Sequence, residues 1–260
     1  MQRREIMWNA ELYGKYGKER LQPSLDLLAR VDTMTPKRIL DVGCGSGMST
    51  APLARCWQNA EIIGADKSEE MLAAARKALP EVTFVRFDCS KPLEGLGKFD
   101  LVFSNAFIQW IKNHEEFFAN AYAVLNKGGA LAIQIPMFDD MPASRCVSDA
   151  EHIFPDNFLD IGDERYVLHT RREYYDMVNG IFGNALMWET DYYHSMPSHE
   201  NILEFLKGSA LRPYMERLDE KERKDFLDRV LSNLKNAYPE ESDGSLLFMF
   251  RRLFIVAFKK

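Results

Sequence analysis

The run RILDVGCGSG at residues 38–47 constrains the fold of this chain more than any other stretch. An apolar strand ends in Asp41 and breaks into a turn with three glycines, Gly43, Gly45 and Gly47, before a helical pattern begins. Glycine lets a backbone approach a ligand closely, and the first turn of a helix offers free N–H groups to an anion. The run therefore predicts the first βα junction of an α/β sheet, with a ligand-binding turn at its carboxyl edge. Because tight βα turns also use glycine for purely structural reasons, the three glycines alone do not show that the turn binds a ligand.

Strand and helix patterns alternate from residue 37 to about residue 135, which is typical of a parallel sheet with crossover helices. The predicted strands are 38–41, 61–66, 82–87, 99–104 and 130–135, with two more at 185–194 and 246–258. The predicted helices are 48–57, 69–79 with Ser68 as its N-cap, and 115–125 with a glycine stop at 126–129. We therefore expect an α/β fold with a seven-stranded, mostly parallel sheet and helices on both faces.

Two further acids follow the next two strands. Asp66 ends the strand 61–66, and Asp88 follows the strand 82–87. The carboxyl ends of parallel strands meet at one edge, where open α/β sheets bind ligands, and a carboxylate suits the paired hydroxyls of a ribose. A dinucleotide site would instead show Gly-x-Gly-x-x-Gly with an acid about 20 residues later, so the acid-first order disfavours an oxidoreductase.

The order Asp-Val-Gly-Cys-Gly-Ser-Gly, followed by these two acids, resembles motif I of class I S-adenosylmethionine-dependent methyltransferases. This resemblance covers roughly residues 37–136 and implies a Rossmann-like fold, S-adenosylmethionine as methyl donor and S-adenosylhomocysteine as product. It also implies that Asp66 binds the ribose and that Asp88 reads the adenine amino group. The implied cofactor residues are Asp41, Gly43, Cys44, Gly45, Asp66, Lys67, Met71, Asp88, Cys89, Asn105 and Ala106.

Later segments narrow the resemblance to the trans-aconitate methyltransferase family over nearly the whole chain. These segments are FSNAFIQW at 103–110, YYHSMPSH at 192–199, LRPY at 211–214 and RLFIVA at 252–257, together with Tyr13, Arg20 and Pro23 near the start. The resemblance implies methyl transfer to a carboxylate of a small polycarboxylic acid, with trans-aconitate as the expected acceptor and a monomethyl ester as product.

A carboxylate acceptor sets modest chemical demands, because its reference pKa near 4 leaves it ionised at neutral pH. We therefore predict no catalytic base, only anion-binding side chains and a dry enclosure that aligns the reactants. The candidate substrate-binding residues are Arg20, Gln109, Trp110, Tyr193, His194, His199, Arg212 and Arg252. A phenol or thiol acceptor would need a general base, and His194 or His199 would then take that role.

Several of these candidates also have a structural interpretation. Arg212 could be a surface arginine that caps the C-terminus of a helix, and Trp110 could be a packing residue. Arg251 and Arg252 are adjacent in a predicted strand and point to opposite faces, so at most one of them faces a pocket. We favour Arg252, because it lies in a segment that carries the family resemblance.

Composition excludes several classes of protein. The four cysteines are scattered without Cys-x-x-Cys spacing or a histidine cluster, which predicts free thiols in a reducing compartment and no metal site. A formal net charge of −6 argues against a nucleic-acid partner. We expect neither a membrane span nor a signal peptide, and therefore a cytoplasmic enzyme, either monomer or homodimer. A non-catalytic S-adenosylmethionine-binding or interaction protein remains an alternative. It predicts a disrupted motif I or a pocket filled by side chains, whereas motif I, Asp66 and Asp88 are intact in this sequence.

We expect a single methyltransferase domain over residues 1–260, since a chain of this length can bury one large core. Within it, residues 1–36 form a helical lead-in with Trp8, Tyr13, Tyr16 and Arg20, and residues 37–136 form the cofactor-binding core. Residues 197–243 form a helical insertion that caps the substrate. The lead-in and the insertion are predicted to act as a helical lid over the carboxyl edge of the sheet.

Overall fold

The structure is a computed structural model that describes residues 17–163 and 165–260. The strands in this part of the chain are β1 (Arg38–Val42), β2 (Glu61–Asp66), β3 (Thr83–Arg86), β4 (Phe99–Asn105), β5 (Leu125–Pro136), β6 (Leu186–Met196) and β7 (Leu246–Phe258). They form one seven-stranded sheet in the order β3-β2-β1-β4-β5-β7-β6. The predicted seven-stranded α/β sheet is confirmed. The expectations for Trp8, Tyr13 and Tyr16 lie outside the described residues.

The register of the central strands brings their carboxyl ends to one edge. Strand β1 pairs in parallel with β2 and β4, β3 with β2, and β5 with β4. Asp41 therefore lies beside Gly64 on one side and Phe103 on the other, while Asn105 lies beside Gln134. Strands of a parallel sheet are covered on both faces, and β1, β4 and the part of β5 that follows its exposed start at 126–128 are accordingly almost entirely buried and mostly apolar.

The helices are α1 (Gly17–Leu28), α2 (Thr50–Cys56), α3 (Glu69–Ala78), α4 (His114–Val124), α5 (Pro142–Glu151), α6 (Arg171–Phe182), α7 (His199–Lys207), α8 (Arg212–Met215) and α9 (Glu220–Ala237). Ser68 is the N-cap of α3 as predicted, because its Oγ accepts a hydrogen bond from the Met71 amide at 3.3 Å. No described helix combines the length and the apolar character needed to cross a membrane.

Two predicted helix boundaries are wrong. Helix α2 begins at Thr50 rather than at 48, because Gly47 still belongs to the turn, with a positive φ of 83°. The predicted glycine stop at the end of α4 is also absent, because Leu125 turns directly into β5 with extended dihedrals. Gly128 and Gly129 instead pair as strand residues with Lys259: the Gly128 amide donates to the Lys259 carbonyl at 2.7 Å, and the Lys259 amide donates to Gly129 at 2.9 Å.

The chain divides into two compact units. The first runs to Ile135 and includes His169–Trp188 and Phe254–Lys260, and it contains the glycine-rich turn. The second consists of Pro136–Leu168 and Glu189–Leu253, and its fully buried side chains include aromatic rings such as Phe226. The predicted insertion at 197–243 falls in this second unit and contains helices α7, α8 and α9.

A buried histidine opens helix α4 in the first unit. His114 is only 1% exposed, and its Nε2 lies 3.1 Å from the carbonyl oxygen of Ile111. Its ring stacks on Tyr174 at 5.6 Å between centroids and meets the edge of His169 at 4.9 Å. Burial, together with the neighbouring His169, lowers the pKa of His114 to about 4. The folded state therefore favours the neutral ring.

This burial predicts a specific loss of stability in acid. The folded pKa of His114 lies below its unfolded value. Above about pH 6.5 the ring is neutral in both states, so His114 does not lower the free energy of unfolding. As the pH drops toward 4, the unfolded state takes up the proton first, and the free energy of unfolding falls. We expect His114→Phe to remove about 3 kcal/mol of that fall between pH 7 and pH 4. Urea unfolding at both pH values measures it. His152→Gln changes an exposed histidine and should keep the wild-type dependence. If the free energy of unfolding changed equally with pH in the wild type, His114→Phe and His152→Gln, His114 would not be the group responsible for the loss of stability in acid.

Candidate functional site

The glycine-rich turn after β1 is fixed by backbone hydrogen bonds to the end of β2. Gly43, Gly45 and Gly47 all have positive φ, at 70°, 53° and 83°. The amides of Gly43 and Cys44 both donate to the carbonyl oxygen of Ala65, at 2.8 and 3.1 Å. The left-handed conformations explain why glycine stands at these positions, and the turn presents backbone rather than side chains to its surroundings.

Asp41, near the end of β1, supports this turn from the side of the core. The side chain is fully buried, and its Oδ2 accepts hydrogen bonds from Ser49 Oγ at 2.9 Å and Thr50 Oγ1 at 2.7 Å. Burial raises the pKa of Asp41 to about 6, although the two hydroxyl donors oppose that rise. The carboxylate thus ties the end of β1 to the start of α2. It supports the turn from within the core and does not face the cleft that the turn borders.

Asp66 ties the same turn to helix α3. Its Oδ2 accepts a hydrogen bond from the Gly45 amide at 3.0 Å, and its Oδ1 accepts one from the Ser68 amide at 2.9 Å. The side chain is half-buried, and a carboxylate has further lone pairs beyond those two bonds. The end of β2 therefore holds an oriented carboxylate that is still able to accept hydrogen bonds from hydroxyl groups.

A cleft opens at the carboxyl ends of β1, β2 and β4. It is lined by Arg20, Gly43, Cys44, Gly45, Ser46, Met48, Ser49, Asp66, Met71, Asn105, Ala106, Phe107 and Trp110. The predicted cofactor residues among them are Gly43, Cys44, Gly45, Asp66, Met71, Asn105 and Ala106. Arg20 and Trp110, which we predicted to bind the acceptor, line the same cleft.

The other four predicted cofactor residues, the buried Asp41 among them, lie outside the lining of this cleft. Lys67 and Asp88 are exposed. Burial pushes the pKa of Asp88 upward, but hydrogen bonds from the Ser90 hydroxyl and amide outweigh it, so the net pKa is lowered and the carboxylate stays ionised. Cys89 is buried, and burial raises its pKa to about 12, so it remains a thiol.

The segment after β4 forms one wall of the cleft. The buried Oδ1 of Asn105 accepts no hydrogen bond from any described residue. Ala106 has a positive φ of 54°, although it is not a glycine. The ring of Phe107 occupies the space beside Gly43, where a Cβ added to the glycine would lie 2.2 Å from the ring. The wall thus combines an unused acceptor with an aromatic ring packed on the glycine turn.

In the second unit, Arg252 and His194 lie around Phe250. Arg252 is 5% exposed, and its guanidinium carbon lies 4.0 Å above the centroid of the Phe250 ring. The His194 ring is 6.5 Å from Phe250 and 6.3 Å from Phe205, between centroids. The neighbouring Arg251 makes a bidentate ion pair with Asp191 at 2.7 and 2.8 Å. Arg251, and not Arg252, lines the large cavity of about 720 Å³ in this unit, so the preference for Arg252 as the pocket-facing arginine does not hold for that cavity.

Arg212 is buried and begins helix α8, so its interpretation as a surface cap at a helix C-terminus is wrong. Its Nε donates to Glu216 Oε1 at 3.2 Å. The same helix is anchored through Tyr214, whose hydroxyl donates to Glu151 Oε1 at 2.8 Å and whose ring stacks on Phe226 at 5.6 Å. The short helix therefore holds a permanently charged guanidinium inside the second unit.

Three candidates are placed elsewhere. His199 lies with its Nε2 2.8 Å from the carbonyl oxygen of Tyr238, which gives its ring a structural partner. Tyr193 is 63% exposed, and strand alternation turns it away from His194. Gln109 is 2% exposed and donates from its Nε2 to the Ala106 carbonyl at 2.7 Å, behind the cleft wall.

The sequence analysis missed some residues of the cleft. Ser46, Met48 and Ser49 line it although only their glycine neighbours were predicted, and Phe107 was overlooked entirely. The first three were detectable, since they directly follow the glycine turn. Phe107 was not, because its role depends on a contact with Gly43 across two strands.

The family follows from comparison with known proteins. A family model described as a methyltransferase domain matches residues 39–129. Trans-aconitate 2-methyltransferase of Escherichia coli strain K12 / DH10B is 39% identical over 252 residues, which is 96% of this chain and 97% of the relative, and the protein of that name from strain O157:H7 matches equally well. The chain belongs to the trans-aconitate methyltransferase family. It is therefore an S-adenosylmethionine-dependent methyltransferase.

Solved structures agree with this fold at low sequence identity. The YcgJ protein of Bacillus subtilis is 14% identical and superposes with a TM-score of 0.62 over 92% of this chain and 99% of that one. Phosphoethanolamine N-methyltransferase 2 of Haemonchus contortus, in complex with phosphomonomethylethanolamine and S-adenosylhomocysteine, is 18% identical with a TM-score of 0.56 over 96% of this chain and 58% of that one. Both confirm the class I methyltransferase fold for this family member.

The groups that line the cleft suit the methyl donor of the family, although the cleft has a volume of only about 60 Å³, with the Phe107 ring packed on Gly43. Gly45 presents bare backbone to the cleft, and a Cβ there would lie 3.3 Å from Met71. The Asp66 carboxylate can accept hydrogen bonds from a ribose, and the unused Oδ1 of Asn105 suits an ammonium group. The backbone, acceptor and apolar groups that S-adenosylmethionine needs are thus present in one cleft.

The close contact between Gly43 and Phe107 gives a stability prediction. Gly43→Ala should lower the free energy of unfolding by about 2–4 kcal/mol, because it combines left-handed strain with a steric clash. Gly128→Ala is the matched control: its φ of +77° is equally strained, but nothing lies within 4 Å. It should lose only about 1–2 kcal/mol. Chemical denaturation measures both.

A double variant separates the two costs. Phe107→Ala should be less destabilising in the Gly43→Ala background than in the wild type, since it removes the two ring carbons at 2.2 Å and leaves only the Phe107 Cβ, at 2.5 Å, in the clash. Identical losses for Gly43→Ala and Gly128→Ala, without coupling to Phe107, would show that the ring does not constrain the turn.

Proposed function

We propose that this enzyme transfers the methyl group of S-adenosylmethionine to a carboxylate of a small polycarboxylic acid, with trans-aconitate as the foremost acceptor and a monomethyl ester as product. The observation that carries this proposal is the 39% identity to trans-aconitate 2-methyltransferase over 96% of the chain. A match of that extent includes the second unit, whereas the methyltransferase-domain match ends at residue 129.

We propose that the donor binds in the cleft of the first unit. Asp66 would hold the ribose hydroxyls, and Asn105 would accept a hydrogen bond from the ammonium group. Asp88 would read the adenine amino group, as the family resemblance implies, and Lys67 and Cys89 are the further cofactor residues proposed near it. The glycine turn, supported by Asp41, would provide close backbone contact.

The donor supplies an activated, electrophilic methyl group on a sulfonium ion. Because a carboxylate is already ionised at neutral pH, the residues of this chain have no proton to remove. Their task is to bind the acceptor anion in one orientation and to exclude water. The absence of a base from the proposed mechanism follows from the acceptor chemistry alone.

We propose that guanidinium groups hold the carboxylates of the acceptor. Arg212 and Arg252 are buried in the second unit, and an arginine cannot lose its charge to escape the cost of burial. A carboxylate is the partner that a guanidinium binds best, through two parallel hydrogen bonds. Arg20 stays a predicted acceptor ligand of the first unit, where it is buried and lines the donor cleft. His194 and Phe250 surround Arg252 and would limit the access of water.

Arginine variants test the acceptor assignment. Arg212→Met and Arg252→Met should each raise the KM for the acceptor by about 10- to 100-fold, as expected for the loss of a charged hydrogen bond. The Kd for S-adenosylhomocysteine should change by less than about twofold, because these side chains are not assigned to the donor. Arg172→Met removes a side chain that is 91% exposed and should alter neither constant. Equal loss of donor and acceptor affinity would refute the assignment.

An acceptor panel tests the reaction itself. Methyl transfer from labelled S-adenosylmethionine is measured with trans-aconitate, cis-aconitate, isocitrate, itaconate, a phenol and a thiol. Base-labile label on a polycarboxylate, at a rate that is flat between pH 6 and 9, is the expected outcome, because no proton is removed. Label on the phenol or thiol alone, at a rate that rises with pH, would favour a base-assisted enzyme. If no label is transferred to any of the acids while the enzyme still binds the donor, the proposed acceptor class is overturned.

We further propose that the enzyme works in the cytoplasm. All four cysteines, Cys44, Cys56, Cys89 and Cys146, are free thiols, as expected in a reducing compartment. This agrees with an acceptor drawn from the small acids of central metabolism.

A further inference from the structure

Ala106 holds a backbone conformation that alanine normally avoids. Its φ is 54°, and it is the one non-glycine residue with positive φ in the described part of the chain. The left-handed region brings Cβ too close to the carbonyl oxygen, so alanine enters it only when its surroundings impose it. Ala106 lines the cleft directly after Asn105, which makes the strain a sign of function.

Two hydrogen bonds impose this conformation on the peptide groups of Ala106. On one side, the Ala106 amide donates to the main-chain carbonyl of Gln134 in β5, at 3.0 Å. On the other side, the Ala106 carbonyl accepts from the Nε2 of Gln109, at 2.7 Å. The second bond depends on a side chain, and Gln109 is 2% exposed behind the wall of the cleft.

The conformation of Ala106 determines where its two neighbours lie. Asn105 precedes it with a buried, unused Oδ1, and Phe107 follows it with a ring packed on Gly43. All three residues line the cleft. If Ala106 relaxed to a right-handed conformation, the chain direction would change between Asn105 and Phe107. The acceptor atom and the ring would then lose their common placement.

We propose that Gln109 is a positioning residue: its side-chain amide holds Ala106 in the left-handed conformation and thereby keeps Asn105 and Phe107 in the arrangement that binds the methyl donor. This inference rests on the proposed function, in which the cleft is the donor site. It differs from the sequence-based expectation that Gln109 contacts the acceptor. It also differs from a purely space-filling role in the core.

The residue at position 106 distinguishes these roles. Glycine has no Cβ and adopts a positive φ without strain, so a chain with glycine at 106 does not need Gln109 to enforce the conformation. If Gln109 contacted a ligand directly, or only filled space, its removal would have the same effect whatever residue stood at 106. A double-mutant cycle measures this dependence.

The experiment compares Gln109→Met in the wild-type and Ala106→Gly backgrounds, with calorimetric titration of S-adenosylhomocysteine. Methionine preserves the length and approximate volume of glutamine but has no N–H donor. In the wild-type background we expect Gln109→Met to raise the Kd about tenfold, which corresponds to one lost hydrogen bond to a buried carbonyl. In the Ala106→Gly background the same substitution should raise the Kd by about twofold or less.

Two controls make the comparison specific. Gln58→Met replaces an exposed glutamine and should leave the Kd unchanged. Thermal unfolding of every variant reports whether the fold survives. If Gln109→Met does not fold, Gln109→Leu repeats the test, since leucine also has no hydrogen-bond donor and carries no charge into this buried position.

An equal rise in Kd in both backgrounds would overturn the proposal. So would an unchanged Kd together with a raised KM for the acceptor at saturating donor, because Gln109 would then be an acceptor ligand. Asp66→Asn tests the donor site independently of Gln109. If Asp66→Asn retains wild-type donor affinity, the donor-site assignment fails; if Asp66→Asn loses affinity but the 106–109 cycle shows no coupling, only the present inference fails.

Discussion

The absence of a side chain at Gly43 is the constraint on which the site depends. The space that a Cβ would fill holds the ring of Phe107, so the turn after β1 and the segment after β4 interlock. Asp41 fixes the turn from below through Ser49 and Thr50. The cleft is therefore a junction of two chain segments, each of which limits the conformation of the other.

The two units differ in the chemistry that they bury. The first unit presents backbone turns, carboxylates and amide side chains around the cleft, which suit a zwitterionic nucleoside, and it also buries the guanidinium of Arg20. The second unit buries the guanidinium groups of Arg212 and Arg252, the latter over the Phe250 ring, which suits anions. Under the proposed function, this division lets the acceptor-binding part change in evolution without disturbing the part that binds the donor.

The sequence was sufficient where the determinants are local. The end of β2 at Asp66 and the N-cap at Ser68 can both be predicted from neighbouring residues, and both are present. The sequence was insufficient where residues from other parts of the chain determine the local structure. The predicted stop near Gly128 failed because Lys259 pairs with that segment from far along the chain. Asp41 was predicted as a cofactor residue by the family pattern, yet its side chain is fully buried and its Oδ2 accepts hydrogen bonds from the hydroxyls of Ser49 and Thr50, an arrangement that no spacing rule contains.

The strained peptide at Ala106 also constrains how this family can change over evolutionary time. While alanine occupies position 106, the amide at 109 is difficult to replace, because the strain loses its support. Once glycine appears at 106, position 109 becomes free to drift. A later return from glycine to alanine at position 106 would then be destabilising unless glutamine is still present at position 109. The order in which substitutions arise at these two positions would thus decide which descendants remain accessible, so the history of the cleft is directional.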